Sequence, residues 1–552
     1  MRLFPKTFRR PPIAAVSRAA LSAGVLGVLA LLPAAPLGAQ ATRGADVATG
    51  LPSLGDGADM SIAAERRLGD GIARDIYRDP DYLDDPVLGD YLQSVWQPLL
   101  GAARTRGDVP PELAERLAWE LMVSRDKRVN AFALPGGYLG VNLGLLAVTE
   151  TPEELASVLA HELSHVSQRH IARMISRQDR QAPWMLGAMI LGMLAARANA
   201  DVANAAVAGS QAVAAQTQLN FSRDMEREAD RVGFGVLTSA GFDGMGFVTM
   251  FDKLQQASRH NDDGAFPYLR SHPLSSERIA DMRARLPIGG GPRVGPLNDS
   301  PLAQPPSLGV PGFVLPVSGA RVARVSAPVT MALHGLVSAR ARVLAENSPD
   351  RWRAWLNQGQ IEGAKPADLY AAALSAHRLG QRELAMKLAT QLQTRTGADT
   401  RWVVDALQME LLLAPGGPNT AQALQIKTLR DGALASQQRA MVLLGAQAAL
   451  ATGAPVQAAA RLQDWVVAQP RDALAWQMLA QAQQANGHRL RSIRSEAEAR
   501  VAQRDYAGAV DRFKAAQGLP PAERALDPME LAIVDVRLRA AEALQRESLR
   551  ED

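Results

Sequence analysis

The chain has no cysteine, and that absence removes several readings at once. A disulfide framework, a thiolate metal site and a lipidated cysteine anchor each require one. Aromatic residues are few, 5% against an apolar fraction of 47%, and alanine is abundant in their place. Net charge is also missing from the working protein. Arg2, Lys6, Arg9, Arg10 and Arg18 lie in the first 41 residues, which hold no acid, and the remainder carries 55 Lys+Arg against 56 Asp+Glu. A nucleic-acid partner calls for a basic surface, so none is expected. Long apolar runs are absent too. Ala19–Leu32 and Trp184–Leu194 both fall short of the roughly 20 residues that a bilayer span needs.

What is present begins with an export signal. A basic start, an apolar run and the small residues Ala39-Gln40-Ala41 define residues 1–41, with cleavage near Ala39–Ala41. An uncleaved membrane anchor is the alternative. Residues 42–59 are rich in glycine and aspartate and are expected to be flexible. A length of 552 residues exceeds what one core serves, so two or three domains are expected.

The chain is organised around His161-Glu162-Leu163-Ser164-His165. Residues four apart share a helix face, so both imidazoles reach one metal ion. Thr151-Pro152-Glu153-Glu154 supplies an N-cap, a proline at N1 and an acid at N3 to open that helix. His161, Glu162 and His165 continue the stripe set by Leu155, Val158 and Leu159, so they turn inward. Buried polar groups are costly unless paired or metal-bound, and one Zn2+ per chain is the expected occupant. Glu162 stands where a base for water is needed.

A catalytic zinc site takes three protein ligands and leaves one position open. Glu226 and Asp230 share a face with small Ala229 beside them, while Glu228 points elsewhere. Glu226 is the expected third ligand. Asp230, one turn on, is placed to accept a histidine N–H and fix its tautomer. His170, five residues after His165, falls off the ligand face and reads as structural.

Around this site the pattern is mainly helical with a small β-sheet. Helices are expected at 61–77 and 85–103, then strands around Trp119 to Val123, at Val129–Leu134 and at Tyr138–Asn142, with a Pro135-Gly136-Gly137 turn. The helix carrying Glu226 is expected to end at Gly241. Residues 287–320 are dense in proline and glycine and mark a linker. The domain that holds the metal motif is therefore placed at 60–286 and a helical domain at 321–552. In the latter, small residues recur twelve apart as facing pairs, Ala373 with Ala385, Ala446 with Ala458 and Ala497 with Ala509. Trp476 with Ala480 opens a unit one 34-residue period after the middle pair begins. That spacing is tetratricopeptide-like; a nonrepetitive helical domain is the alternative.

His161-Glu162-Leu163-Ser164-His165 followed by Glu226-Arg227-Glu228-Ala229-Asp230 resembles the HExxH…ExxAD pattern of the metallopeptidases that include HtpX and the CAAX prenyl proteases. Asn130-Ala131-Phe132-Ala133-Leu134-Pro135-Gly136-Gly137-Tyr138 resembles that family's strand ahead of the metal helix. Signal, missing spans and repeat tail resemble its periplasmic members. The resemblance implies zinc on His161, His165 and Glu226 with Glu162 as catalytic base. It further implies a periplasmic zinc endopeptidase acting on misfolded or stalled outer-membrane β-barrel proteins, with the repeats as recognition module, the β-barrel assembly machinery as a partner for them, and peripheral membrane association allowed. A chaperone-like assembly factor with a silent protease site is the rival. Ser271-His272-Pro273-Leu274 resembles a segment whose histidine approaches the zinc, making His272 a fourth ligand or latch, a structural histidine, or an oxyanion donor. Trp184–Leu194 is read as a lid or a core helix. Substrate is expected to add as a strand along Tyr138, Leu139, Gly140, Val141 and Asn142, with Gly140 leaving room for it.

Overall fold

The computed structural model describes residues 60–177, 222–260, 266–286, 329–414 and 420–549. The export signal, the 42–59 segment, the Trp184–Leu194 stretch and the 287–320 linker lie outside the described residues.

Two helices open the described chain, α1 (Ile62–Arg78) and α2 (Pro86–Arg106), capped by Ser61 and Asp85 side chains accepting from Ala64 N and Leu88 N. A short α3 (Pro111–Arg116) leads into β1 (Glu120–Ser124), β2 (Ala131–Leu134) and β3 (Tyr138–Asn142). Then come α4 (Leu143–Val148), the metal-motif helix α5 (Pro152–Ser167) and α6 (His170–Arg177). The second carboxylate motif lies on α7 (Arg223–Ser239), followed by α8 (Met245–His260), α9 (Tyr268–Ser271) and α10 (Ser276–Ala284). Gly241, at φ +88°, follows the C-cap of α7, as its position predicts.

The sheet order is β1-β3-β2, with β1 parallel and β2 antiparallel to β3. This overturns the expected substrate strand. Both edges of β3 are already paired, and all five of its residues, Tyr138, Leu139, Gly140, Val141 and Asn142, are buried. No peptide can add to a strand flanked on both sides. Gly140 makes room for a neighbour instead: a Cβ there would lie 2.2 Å from Cζ of Phe132, its cross-strand partner.

The C-terminal region is helical, from α11 (Met331–Leu344) to α23 (Pro528–Leu549), in consecutive packed helices. Ala373, Ala385, Ala446, Ala458, Ala497 and Ala509 are all fully buried. One hydrophobic core runs from Ile72 and Leu159 of the first region into Leu336, Leu369 and Leu407 of the second. Among the described residues, no helix is long and apolar enough to cross a membrane.

Candidate metal centre

The cap of α5 fixes where its histidines point. Thr151 Oγ1 accepts from Glu154 N–H at 3.1 Å, and Pro152 sits at N1. The Glu154 carboxylate accepts from Glu150 N–H at 2.8 Å and from Lys253 Nζ at 2.9 Å, which ties the helix start to α8. From there His161 and His165 project toward α7, and the residues facing them are Glu226 and, from the turn after α9, His272.

These four side chains offer ligand atoms that all lie within 4.8 Å of one another. His161 Nε2 is 3.0 Å from His165 Nε2 and 3.3 Å from His272 Nδ1. Glu226 oxygens lie 3.5 Å from His161 Nε2, 3.4 Å from His165 Nε2 and 3.0 Å from His272 Nδ1. Tetrahedral ligands with bonds of ~2.0–2.1 Å stand ~3.3 Å apart. The spacing and the nitrogen-and-carboxylate donor set therefore fit one metal ion. All four side chains are buried, at most 2% exposed.

A second ring of contacts holds these groups. Asp230 Oδ1 lies 2.9 Å from His161 Nδ1, although its angle leaves that nitrogen without a well-directed hydrogen bond. Arg278, at the start of α10, grips Asp230 through Nε at 2.6 Å and Nη2 at 2.8 Å, and its Nη1 is 2.8 Å from Glu226 Oε2. Glu162 Oε2 accepts from Ala133 N–H of β2 at 2.9 Å, and its Oε1 faces His272 Nε2 at 3.4 Å without forming a hydrogen bond. Tyr268 stacks on the His272 ring, centroids 4.6 Å apart.

Electrostatics follow from this burial. Desolvation pushes the Glu162 carboxyl up, beyond what His272 and His161 offset. Desolvation also pushes His165 down and keeps its imidazole neutral. Burial opposes ionisation of Glu226 and Asp230. Their histidine neighbours, and Arg278 for Asp230, nevertheless hold both below the usual carboxylate range. His161, despite its burial, is raised to about 9 by Asp230 and Glu226.

The predicted residues His161, Glu162, His165, Glu226, Asp230 and His272 thus come together, while Tyr138–Asn142 does not line the cluster as an open edge. Sequence reasoning missed Arg278 and Tyr268, which no motif marks. It also placed His170 apart, whereas His170 Nδ1 lies 2.9 Å from His165 Nδ1.

Comparison with known proteins bears on the same residues. Residues 92–286 match the model of peptidase family M48. A putative beta-barrel assembly-enhancing protease of Vibrio cholerae is 35% identical over 237 residues, 43% of this chain and 47% of that protein. The beta-barrel assembly-enhancing protease of Escherichia coli is 27% identical over 524 residues, covering 94% of this chain and 96% of its own. The mitochondrial metalloendopeptidase OMA1 of Arabidopsis thaliana is 34% identical over 164 residues, 30% of this chain and 31% of that one. The family match encloses the whole buried cluster from His161 to Arg278, and residues 92–286 are similar to the metallopeptidases of family M48.

Proposed function

We propose that this protein is an exported zinc endopeptidase that works in the periplasm on misfolded or stalled outer-membrane β-barrel proteins. The observation that carries the reading is the buried donor set of His161, His165 and Glu226 with the Glu162 carboxylate beside it. Zinc held there supplies a lowered pKa for water and a polarised peptide carbonyl. Glu162 Oε1 takes the proton of the attacking water and passes it to the leaving amine, while Ala133 N–H holds Oε2 in place. Asp230 orients His161, and Arg278 balances the charge of Asp230 and Glu226.

The peptide lies along β2 rather than β3. Ala133 N–H points away from β3 toward Glu162, so the outer edge of β2 is the side that looks onto the site. The names of the Vibrio and Escherichia relatives support the choice of client. Residues 1–41 act as the signal, 60–286 as the protease, and 321–552 as tetratricopeptide-like repeats that hold the client or the β-barrel assembly machinery, with peripheral membrane association. His272 acts as a latch: its ring stands between Glu226 and Glu162, 3.0 and 3.4 Å from their oxygens, in the space that water must use.

The test is Glu162→Gln. Metal analysis should find one zinc per chain, as in the wild type, while cleavage of an unfolded outer-membrane protein falls ~10²–10⁴-fold. Cleavage at the wild-type rate refutes the mechanism. Burial of every site group favours a second reading, an assembly factor whose protease stays silent. Full complementation of a deletion by Glu162→Gln, under envelope stress as well as without it, would establish that rival.

A further inference from the structure

The metal-motif helix does not continue to His170. It stops at Ser167, and Arg169 takes a left-handed φ of +53° before α6 begins at His170. A non-glycine residue there is strained. Arg169 is held in that conformation by its side chain, whose Nε reaches Glu65 Oε2 at 2.9 Å and whose Nη2 reaches Met60 O. On an unbroken helix, five residues of spacing would carry His170 away from His165. The reversal brings the two rings together instead, centroids 4.9 Å apart, with Nδ1 2.9 Å from Nδ1. On its other side His170 Nε2 lies 3.1 Å from Glu228 Oε2, an oxygen also bound by Arg173 Nη1 at 3.0 Å.

We propose that Glu228 and His170 form a two-step positioning relay that sets which nitrogen of His165 is free to bind the metal. The argument is one of donors and acceptors. A carboxylate only accepts, so Glu228 fixes the hydrogen of His170 on Nε2. That leaves a lone pair on His170 Nδ1, which only a donor can face at 2.9 Å. His165 must therefore carry its hydrogen on Nδ1, and its Nε2 presents a lone pair to the cluster, 3.0 Å from His161 Nε2. On His161 the group that stands at Nδ1 is a carboxylate in direct contact, Asp230 Oδ1 at 2.9 Å. The two histidines of the motif thus have separate carboxylates, one in contact and one acting through a second imidazole. Glu228 lies on α7 with Glu226 and Asp230, so the relay returns to the helix that supplies the third ligand. Groups of this kind orient ligands and raise their basicity; here the role falls to His170 and Glu228 as positioning residues.

The inference rests on the proposed metal reading, and zinc affinity of the purified full chain tests both. The readout is competition with a chromophoric chelator, with circular dichroism and thermal melting of the metal-free protein as controls for folding. His170→Phe keeps the ring but not the acceptor and should weaken zinc binding ~10–100-fold. His170→Asn places an amide oxygen where Nδ1 sits and should restore affinity to within about threefold of wild type. Glu228→Gln, at a position 29% exposed, should weaken binding about tenfold, because an amide can also donate and so admits the wrong tautomer. It carries the test if His170→Phe does not fold. Wild-type affinity in both His170→Phe and Glu228→Gln overturns the relay, as does equal weakening in His170→Phe and His170→Asn. A wild-type protein that binds no zinc overturns the metal reading and the relay with it, whereas zinc lost in His165→Ala but held at wild-type affinity in both His170→Phe and Glu228→Gln leaves the metal reading standing and refutes only the relay.

Discussion

At the scale of single residues, the site is crowded because His272 completes it. Three of its neighbours are protein ligand candidates, yet its own Nε2 faces the base, Glu162 Oε1, at 3.4 Å. The segment that carries it is anchored at several points. His272 N–H donates to Tyr268 O at 2.9 Å, Arg278 Nη1 donates to Pro273 O at 2.9 Å, and the Tyr268 ring covers the imidazole. Releasing the ring requires breaking contacts that also run through Arg278 to Asp230, so opening the site and loosening its outer support are coupled. His272→Ala should raise basal proteolysis while zinc content stays at one per chain, since three protein ligands remain. A latch that keeps 99 chains in 100 closed limits the gain to about 100-fold. An oxyanion donor predicts the opposite sign, so a fall in peptide cleavage by His272→Ala with zinc retained would end the latch. The clustering of the candidate ligands was legible in the sequence because HExxH needs only helical spacing and a cap to place two imidazoles together. Arg278 and His170 were not legible. One enters from a helix 48 residues beyond its partner Asp230, and the other depends on a backbone reversal at Arg169 that no residue type announces.

Among elements, the sheet shows what a sequence can and cannot carry. Its three strands and the Pro135–Gly137 turn were readable from composition and turn chemistry, within a residue or two of β1, β2 and β3. Which strand lies in the middle was not, since pairing is a long-range property that a strand's own residues do not encode. A clue was nevertheless available: Tyr138 to Asn142 shows no clean alternation of apolar and polar residues, as expected for a strand covered on both faces. The helices of the metal site were better marked, because Thr151, Ser222 and Ser275 each accept from a backbone N–H in the first turn, and such caps contribute about 1 kcal/mol each. The misplacement of the substrate strand makes Gly140 a test of packing. Gly140→Ala pushes a methyl group into the Phe132 ring, and overpacking of this kind costs ~1–3 kcal/mol. Urea denaturation should record that loss, and adding Phe132→Leu should recover part of it. A neutral Gly140→Ala would mean that the glycine serves something other than its cross-strand neighbour.

The whole molecule is joined by three arginines from different parts of the helical region. Arg340 of α11 meets Asp85 Oδ2 at 2.6 Å and Glu410 Oε1 at 2.7 Å; Arg439 meets Asp84 Oδ1 at 2.7 Å and Asp472 Oδ2 at 2.8 Å. The Asp84-Asp85 pair just before α2 is thus held twice. Arg504 reaches further, to the hydroxyl of Tyr138 at the start of β3, with its guanidinium 5.1 Å from that ring and Nε 3.3 Å from Asp70 Oδ1. Its backbone shows why the contact matters. The loops after the helices Pro366–Arg378, Arg439–Ala451 and Ala473–Ala485 are each three residues long, with a central glycine at φ +76°, +72° and +77°. The loop after Arg489–Ala502 has the same length, but Arg504 occupies the centre at φ +59°. A side chain in that conformation costs ~1–2 kcal/mol, and here it is retained where the arginine is buried against the peptidase sheet. Two substitutions separate the two effects. Arg504→Ala loses the contact and keeps the strain, whereas Arg504→Gly loses the contact and relieves it. Arg504→Gly should therefore be the more stable of the pair by ~1 kcal/mol in thermal or urea unfolding. Both should speed hydrogen exchange at the backbone amides of 136–139 and of 502–508, on either side of the lost contact. Unchanged exchange on the sheet side in both variants would show that Arg504 does not couple the C-terminal helical region to β3, and equal stability of the two would remove the argument from strain.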